Sequence, residues 1–376
     1  MRKLRVGIIG VGAIATDPTH GHIPNYLHLP EVELVAISDV NGNRAQHIAN
    51  RYNIPLVYTH FREMLANAEL DAVSIAVPNY LHAAIAVGCL EKGVHVLVEK
   101  PMAMTSRDAR RMIDAAHAHK RVLFPGMNNR FREDSRALKL MMQQGALGEV
   151  YAAKAGWLSR DGTSDTTSWL TSKAQTGGGP LWDTGIVILD LALWMLGFPK
   201  VKSVSGALHN AKGELPQLIS PTETSPYPVE DAATALIRFE DGRHLSLEVS
   251  TASFTGNNDD IYLRLHGTSG GAELHNPEMK GTDVLRVQGE LFGTQMEFAP
   301  VLRDSGIPSH RNELKHFVDV CMGRAEPQIT TEQGYVGVRV IEAIYESALC
   351  GREVAFEVPQ VPHIEDSKPE LELIPA

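Results

Sequence analysis

A short run near the start of the chain has the residue types and spacing to hold a phosphate. Gly10-Val11-Gly12-Ala13-Ile14-Ala15 directly follows the β-branched run Leu4 to Ile9. The first glycine permits a tight turn, the second lets backbone approach a pyrophosphate, and alanine at the third place lets a helix lie close to the strand. Backbone N–H groups of Gly12, Ala13 and Ile14 at the helix start then face the phosphates. A second apolar run, Val32 to Ser38, ends at Asp39. A carboxylate there can accept from both ribose hydroxyls of NAD, and it would repel the 2′-phosphate of NADP. The same acid can instead cap a helix near Asn43.

Such a turn works only if a parallel sheet positions it. Three further strand signals follow: Ala72 to Val77, Val94 to Val98 and Arg121 to Phe124. Helical stretches separate them at Arg44 to Tyr52, Phe61 to Ala66, His82 to Lys92 and Ser106 to His119. Alternating strands and helices imply right-handed crossovers and a parallel α/β sheet. Beyond Pro125 the pattern changes. A helix near Asp134 to Gln144 and a strand at Glu149 to Trp157 precede Gly177-Gly178-Gly179 and a helix from about Asp183 to Leu196. From Val201 onward the signals are strands and hairpins, the clearest turning at Asp241-Gly242. Helices near Arg311 to Met322 and Glu332 to Cys350 close this part. We therefore expect a dinucleotide-binding domain over 1–125 and an α+β domain over 126–376. The second should carry a large, mostly antiparallel sheet and a surface tail from about Val358.

The bulk numbers exclude several classes. A chain of 376 residues with 43% hydrophobic and 21% charged residues is long enough for two cored domains. A formal net charge of -10 and no long basic run argue against a nucleic-acid partner. Cys89, Cys321 and Cys350 are too scattered for a disulfide framework or a zinc site and read as reduced thiols, hence a cytoplasmic setting. Met1 to Ala15 has the outline of a secretory signal, but its apolar run is short and interrupted by the glycines. No stretch reads as the ~20 apolar residues of a membrane span.

One irregularity marks the nucleotide half. Pro18 and Pro24 fall where the first helix should run, so a loop around Thr16 to Gly21 reads as an insertion and the main helix as starting near His22. His20 and His22 form a His-x-His pair there, but no acid or cysteine cluster supports a metal.

Several motifs in order give the chain a family likeness. They are the Gly10–Ala15 turn, Val77-Pro78-Asn79 with His82, Val98-Glu99-Lys100-Pro101, Asn128-Asn129-Arg130-Phe131, Gly177-Gly178-Gly179 with Asp183-x-Gly185, and Glu332-Gln333-Gly334. The chain resembles the Gfo/Idh/MocA oxidoreductases over nearly its whole length. The resemblance implies that Lys100 lies beside the nicotinamide and the reacting hydroxyl, with Glu99 preceding it, and that Pro78 and Asn79 line the nicotinamide pocket near His82. It implies that Asp183 faces substrate and that the second domain's open-faced sheet makes a homodimer or homotetramer. A lysine at the carboxyl edge of the sheet, partly desolvated beside a cationic ring, should have a lowered pKa suited to proton transfer. The same lysine can instead make a structural ion pair.

The chain departs from the likeness at one place. Family members run Asp-x-Gly-x-His-x-x-Asp; here Asp183-Thr184-Gly185-Ile186-Val187-Ile188-Leu189-Asp190 puts valine at the histidine position. On a regular helix Asp183, Val187 and Asp190 share a face, so the pocket would keep two carboxylates and lose an imidazole. Lys100 could then work alone with a water that Asp183 orients, and Val187→His should raise turnover. A histidine from elsewhere, such as His310 or His22, could fill the gap instead. Arg130, Trp157 and Arg160 are candidates to hold hydroxyls or stack on a sugar ring, though Trp157 also suits a strand core. The expected activity is NAD-dependent hydride transfer to or from a secondary alcohol of a sugar, cyclitol or polyol. The alternatives are an NAD-retaining glycosidase or epimerase working by transient oxidation, and a non-catalytic NAD or sugar sensor.

Overall fold

The computed structural model describes residues 2–160, 172–210, 229–275, 284–291, 293–302 and 305–356. The expected tail from Val358 lies outside the described residues. Six strands, β1 (Leu4–Ile9), β2 (Val32–Ser38), β3 (Leu56–Tyr58), β4 (Ala72–Ile75), β5 (His95–Val98) and β6 (Leu123–Pro125), form one parallel sheet in the order 3-2-1-4-5-6. Their apolar residues are buried almost without interruption, as a sheet covered on both faces requires. The strand order reverses between β1 and β4, which opens a crevice at their carboxyl ends. Into that crevice run the loops after β1, β4 and β5, which carry Gly10, Pro78 and Lys100.

Eleven α-helices among the described residues cover and link the sheets. In the first half they are α1 (Ala13–Thr16), α2 (His22–Leu27), α3 (Gly42–Tyr52), α4 (Phe61–Asn67), α5 (His82–Glu91) and α6 (Ser106–His119). The first helix is split as the prolines imply. A single turn, α1, gives way to a loop in which the Asp17 carboxylate accepts from the amides of Thr19 and His20. The longer α2 starts at His22. Strand β3 was not expected, because three residues at a sheet edge are too short to show alternation.

In the second half, α7 (Glu133–Gln143), α8 (Lys173–Thr176), α9 (Ile186–Leu196), α10 (Ser309–Cys321) and α11 (Thr331–Cys350) accompany a nine-stranded sheet. Its strands are β7 (Val150–Ser159), β8 (Val201–His209), β9 (Ala232–Phe239), β10 (His244–Ser250), β11 (Asp259–Gly267), β12 (Gly270–His275), β13 (Val284–Leu291), β14 (Thr294–Phe298) and β15 (Val354–Ala355). Their order is 14-13-12-11-7-10-9-8-15, and all neighbours are antiparallel except β7 and β10. Helix α9 lies on β7 and α11 on β8, so one face is covered. Residues alternate in burial along β9, leaving the other face open. Helices α10 and α11 also reach back to α2 and α6, and so join the two sheets. The helical stretch Lys173–Leu196 is long and apolar enough to cross a membrane, but 78% of its most apolar window is buried inside the fold, as in a core helix.

Candidate active site

A cavity of about 960 Å³ runs along the crevice from Asp39 to Asp183. Gly10, at φ +87°, makes the turn out of β1, where a Cβ would overlap the Ala76 carbonyl. A Cβ on Gly12 would meet nothing within 4 Å, because that face of the turn opens on the cavity. Together with Ala13 and Ile14, which also line the cavity, this is a cradle shaped for a pyrophosphate. Because α1 is one turn long, the local amides rather than a long helix dipole must hold the anion.

Asp39 is nearly buried at the far end. One of its oxygens accepts from the Val11 amide at 2.9 Å. The other accepts from the Asn41 amide at 2.8 Å and from Arg44 Nη2 at 2.8 Å. Asn41, not Asp39, caps α3. The acid therefore ties the glycine turn to the nucleotide end of the cavity, and half-exposed Arg44 lies beside it. Arg44 was missed in the sequence, where nothing distinguishes it from any other surface arginine of a helix.

Lys100 leaves β5 at the opposite end. Its Nζ is 2.5 Å from Asp183 Oδ1 and 3.1 Å from the Asp183 carbonyl oxygen. Both side chains keep access to the cavity, 29% and 48% exposed, so the pair contributes little to stability and is available for chemistry. The expected lowered lysine pKa is reversed here. Burial pushes the ammonium down, but the Asp183 carboxylate, with Glu99 behind it, outweighs burial and raises it. The Lys100 ammonium in turn lowers Asp183. Glu99 lines the cavity, accepts from His22 Nε2 at 2.9 Å, and is drawn down to about 2 by His22 against the opposing effect of burial.

Pro78 and Asn79 line the middle of the cavity. Asn79 Nδ2 also donates to the Thr176 carbonyl at 2.9 Å, which fastens the first domain's loop to the glycine turn of the second. His82 does not reach the cavity. It is fully buried, with Nδ1 2.7 Å from the Pro101 carbonyl and Nε2 2.9 Å from that of Val77. It braces the two loops from behind, and burial lowers its pKa.

The helix carrying Asp183 is irregular. Leu181–Gly185 forms a π-helical turn ahead of α9, with wider spacing than the regular helix assumed from sequence. Buried Glu230, which lines the cavity, accepts from the Gly179 amide at 2.9 Å and the Leu181 amide at 3.3 Å, and so pins the start of that turn. A Cβ on Gly179 would overlap the Glu230 carbonyl, so this approach needs glycine. Val187 is buried at 8% exposure in the apolar core and is not among the cavity-lining residues. The expectation that it leaves a vacancy in the pocket is thus corrected. Asp190 is also absent from the cavity, because Arg130 takes both of its oxygens at 2.7 and 2.5 Å. Arg130 is fully buried and further bonded to Gln328 and Gln333, so it cannot hold substrate as expected. Trp157 packs against the core, and Arg160 bonds Asn258 at the end of β7; neither lines the cavity. The residues that do, and that sequence reasoning passed over, include Asn128, Glu230 and Trp182. Among the described residues no cluster of three or more His, Cys, Asp or Glu side chains could hold a metal.

Residues 4–127 match the oxidoreductase family with an NAD-binding Rossmann fold, and residues 135–273 match the GFO/IDH/MocA C-terminal domain. The chain belongs to the Gfo/Idh/MocA oxidoreductase family. It is 35% identical to D-glucoside 3-dehydrogenase of Escherichia coli K12 over 356 residues, covering 93% of this chain and 97% of that one. Among solved structures it is similar to aldose-aldose oxidoreductase of Caulobacter crescentus in complex with glycerol. That match has 25% identity and a TM-score of 0.80, over 94% of this chain and 100% of the other. It is also similar to GenD2 of gentamicin A biosynthesis in complex with NAD, at 26% identity and a TM-score of 0.75, over 95% and 97% of the two chains.

Proposed function

We propose that this family member transfers a hydride between NAD and a secondary alcohol of a sugar, with glucosides as the first substrate class. The observation that carries the reading is the Lys100–Asp183 pair, 2.5 Å apart at the cavity end opposite Asp39. The cradle at Gly12, the length of the cavity and the nearly buried Asp39 fit NAD. Bound there, NAD supplies the hydride acceptor for oxidation. Lys100 Nζ contacts the reacting oxygen. In the reductive direction its ammonium donates the proton; in the oxidative direction its amine form takes the hydroxyl proton. Asp183 fixes the lysine and accepts from a neighbouring sugar hydroxyl. Glu230 and Asn79 position that end of the cavity. Asp39, held in place by the Val11 amide, faces the adenosine end, where NAD is favoured over NADP.

Glucosides come first because the similarity to D-glucoside 3-dehydrogenase spans nearly all of both chains. We place the domain boundary after β6, homo-oligomer contacts on the open face of the nine-stranded sheet, and the protein in the cytoplasm. The test is NADH production by the purified protein with methyl glucosides, free aldoses and inositol, run in parallel with NADP. Turnover of at least one glucoside with NAD supports the reading; nucleotide binding without turnover of any sugar overturns it.

A further inference from the structure

A line of imidazoles leads from the cavity to the surface. His310, in the first turn of α10, lines the same cavity as Lys100 and Asp183. Its Nδ1 is buried without a hydrogen-bond partner. Its ring centroid is 5.2 Å from that of His20, tilted by 59°. His20 sits on the inserted loop with its side chain 56% exposed and Nδ1 3.3 Å from Asp17 Oδ1. The insertion therefore brings an exposed imidazole against a cavity-lining one.

Oxidation of a secondary alcohol sends its C–H electron pair and hydrogen to the nicotinamide and releases the O–H proton. One proton must reach bulk water per turnover. Val187, on α9, offers no imidazole to the cavity. We propose that His310 passes the substrate proton from the Lys100 end of the cavity to solvent through His20. The inference rests on the reaction proposed above. The hydroxyl proton moves to Lys100 Nζ, then by cavity water to the His310 ring, then to His20 and outside. Each transfer breaks one O–H or N–H bond and forms another, and no further oxidant is needed.

The surroundings suit this role. Burial lowers His310 to about 4; His22 and His20 act in the same direction, and the carboxylates of Glu99 and Asp17 oppose it. At neutral pH the ring is therefore unprotonated, so a proton arriving from the Lys100 end rests on it only transiently and passes on rather than being stored.

The test uses full-length protein, NAD and a glucoside that the wild type oxidises. His310→Ala should lower kcat by about 10- to 100-fold with NAD affinity nearly unchanged, and imidazole in the buffer should restore part of the loss. His20→Asn, at an exposed position, should lower kcat by about two- to fivefold and enlarge the solvent isotope effect, since water can take its place in part. The relay is overturned if His310→Ala stays within about twofold of wild type, or if its loss is unrelieved by imidazole. Should His310→Ala fail to fold, an unchanged kcat and isotope effect in His20→Asn overturn it alone. A wild type that oxidises no sugar removes the reaction itself, whereas an active wild type with unaffected variants removes only the relay.

Discussion

Arg44→Ala should sharpen the preference for NAD over NADP. A carboxylate facing the ribose normally rejects the 2′-phosphate by charge, but Arg44 Nη2 lies 2.8 Å from Asp39 Oδ1. Two unit charges about 4 Å apart interact by roughly 1 kcal/mol in water and roughly 4 kcal/mol at an effective dielectric of about 20. A phosphate dianion beside Asp39 alone would thus be repelled by about 2 kcal/mol or more. The guanidinium, at nearly the same range and of opposite sign, cancels most of this. It leaves about 0.5–1.5 kcal/mol, or roughly twofold to tenfold in favour of NAD. With the Arg44 side chain 49% exposed, the watery end of the range applies, so its removal should widen the ratio to about thirtyfold. Fluorescence titration of wild type and variant with both nucleotides reads the ratio directly. A ratio that Arg44→Ala leaves within about twofold of wild type would refute the argument, as would a wild type already discriminating beyond about a hundredfold.

Other outcomes follow from the same geometry. Val187→His places a larger, polar ring in an apolar core, so it should cost about 1–3 kcal/mol by denaturant titration and leave kcat no higher than wild type. A faster variant would show that position 187 faces the substrate. Arg130→Ala strands the buried Asp190 carboxylate and should cost about 3–5 kcal/mol of stability. A change in substrate KM without a change in melting temperature would return Arg130 to the substrate site. Asp183→Asn removes the main group that raises Lys100, leaving burial opposed only by the weaker influence of Glu99, so the alkaline limb of the oxidation pH profile should move toward lower pH. A limb that stays in place or moves upward contradicts the pairing.

Much of the nucleotide half was legible along the chain because its signals are local. The strand Leu4–Ile9, the helix Ser106–His119 and the glycine turn each declare themselves within a few residues. What escaped depends on partners far apart in sequence. Arg130 looks like a substrate residue until Asp190, sixty positions away, is seen to accept from its Nε and Nη2 while Gln328 and Gln333 take Nη1. Val187 looks like a missing base until the π-helical turn at Leu181–Gly185 breaks the assumed helical register. Glu230 carries no motif, yet it fixes the turn that presents Asp183. Arg44 is an ordinary helix residue until the fold sets it against Asp39, and His310, a candidate in the sequence, gains its neighbour His20 only in the fold.

The most direct test of the account is the pH dependence of glucoside oxidation in wild type and Lys100→Met, with NAD binding measured on both. Because Asp183 raises the lysine, its amine form is scarce at neutral pH, so wild-type oxidation should climb as pH rises toward that raised pKa while reduction falls beyond it. Lys100→Met should lower oxidation by about 10²–10⁴, abolish the alkaline climb, and hold NAD affinity within a few fold. Turnover that survives in Lys100→Met with the same pH profile would contradict the assignment of proton transfer to Lys100.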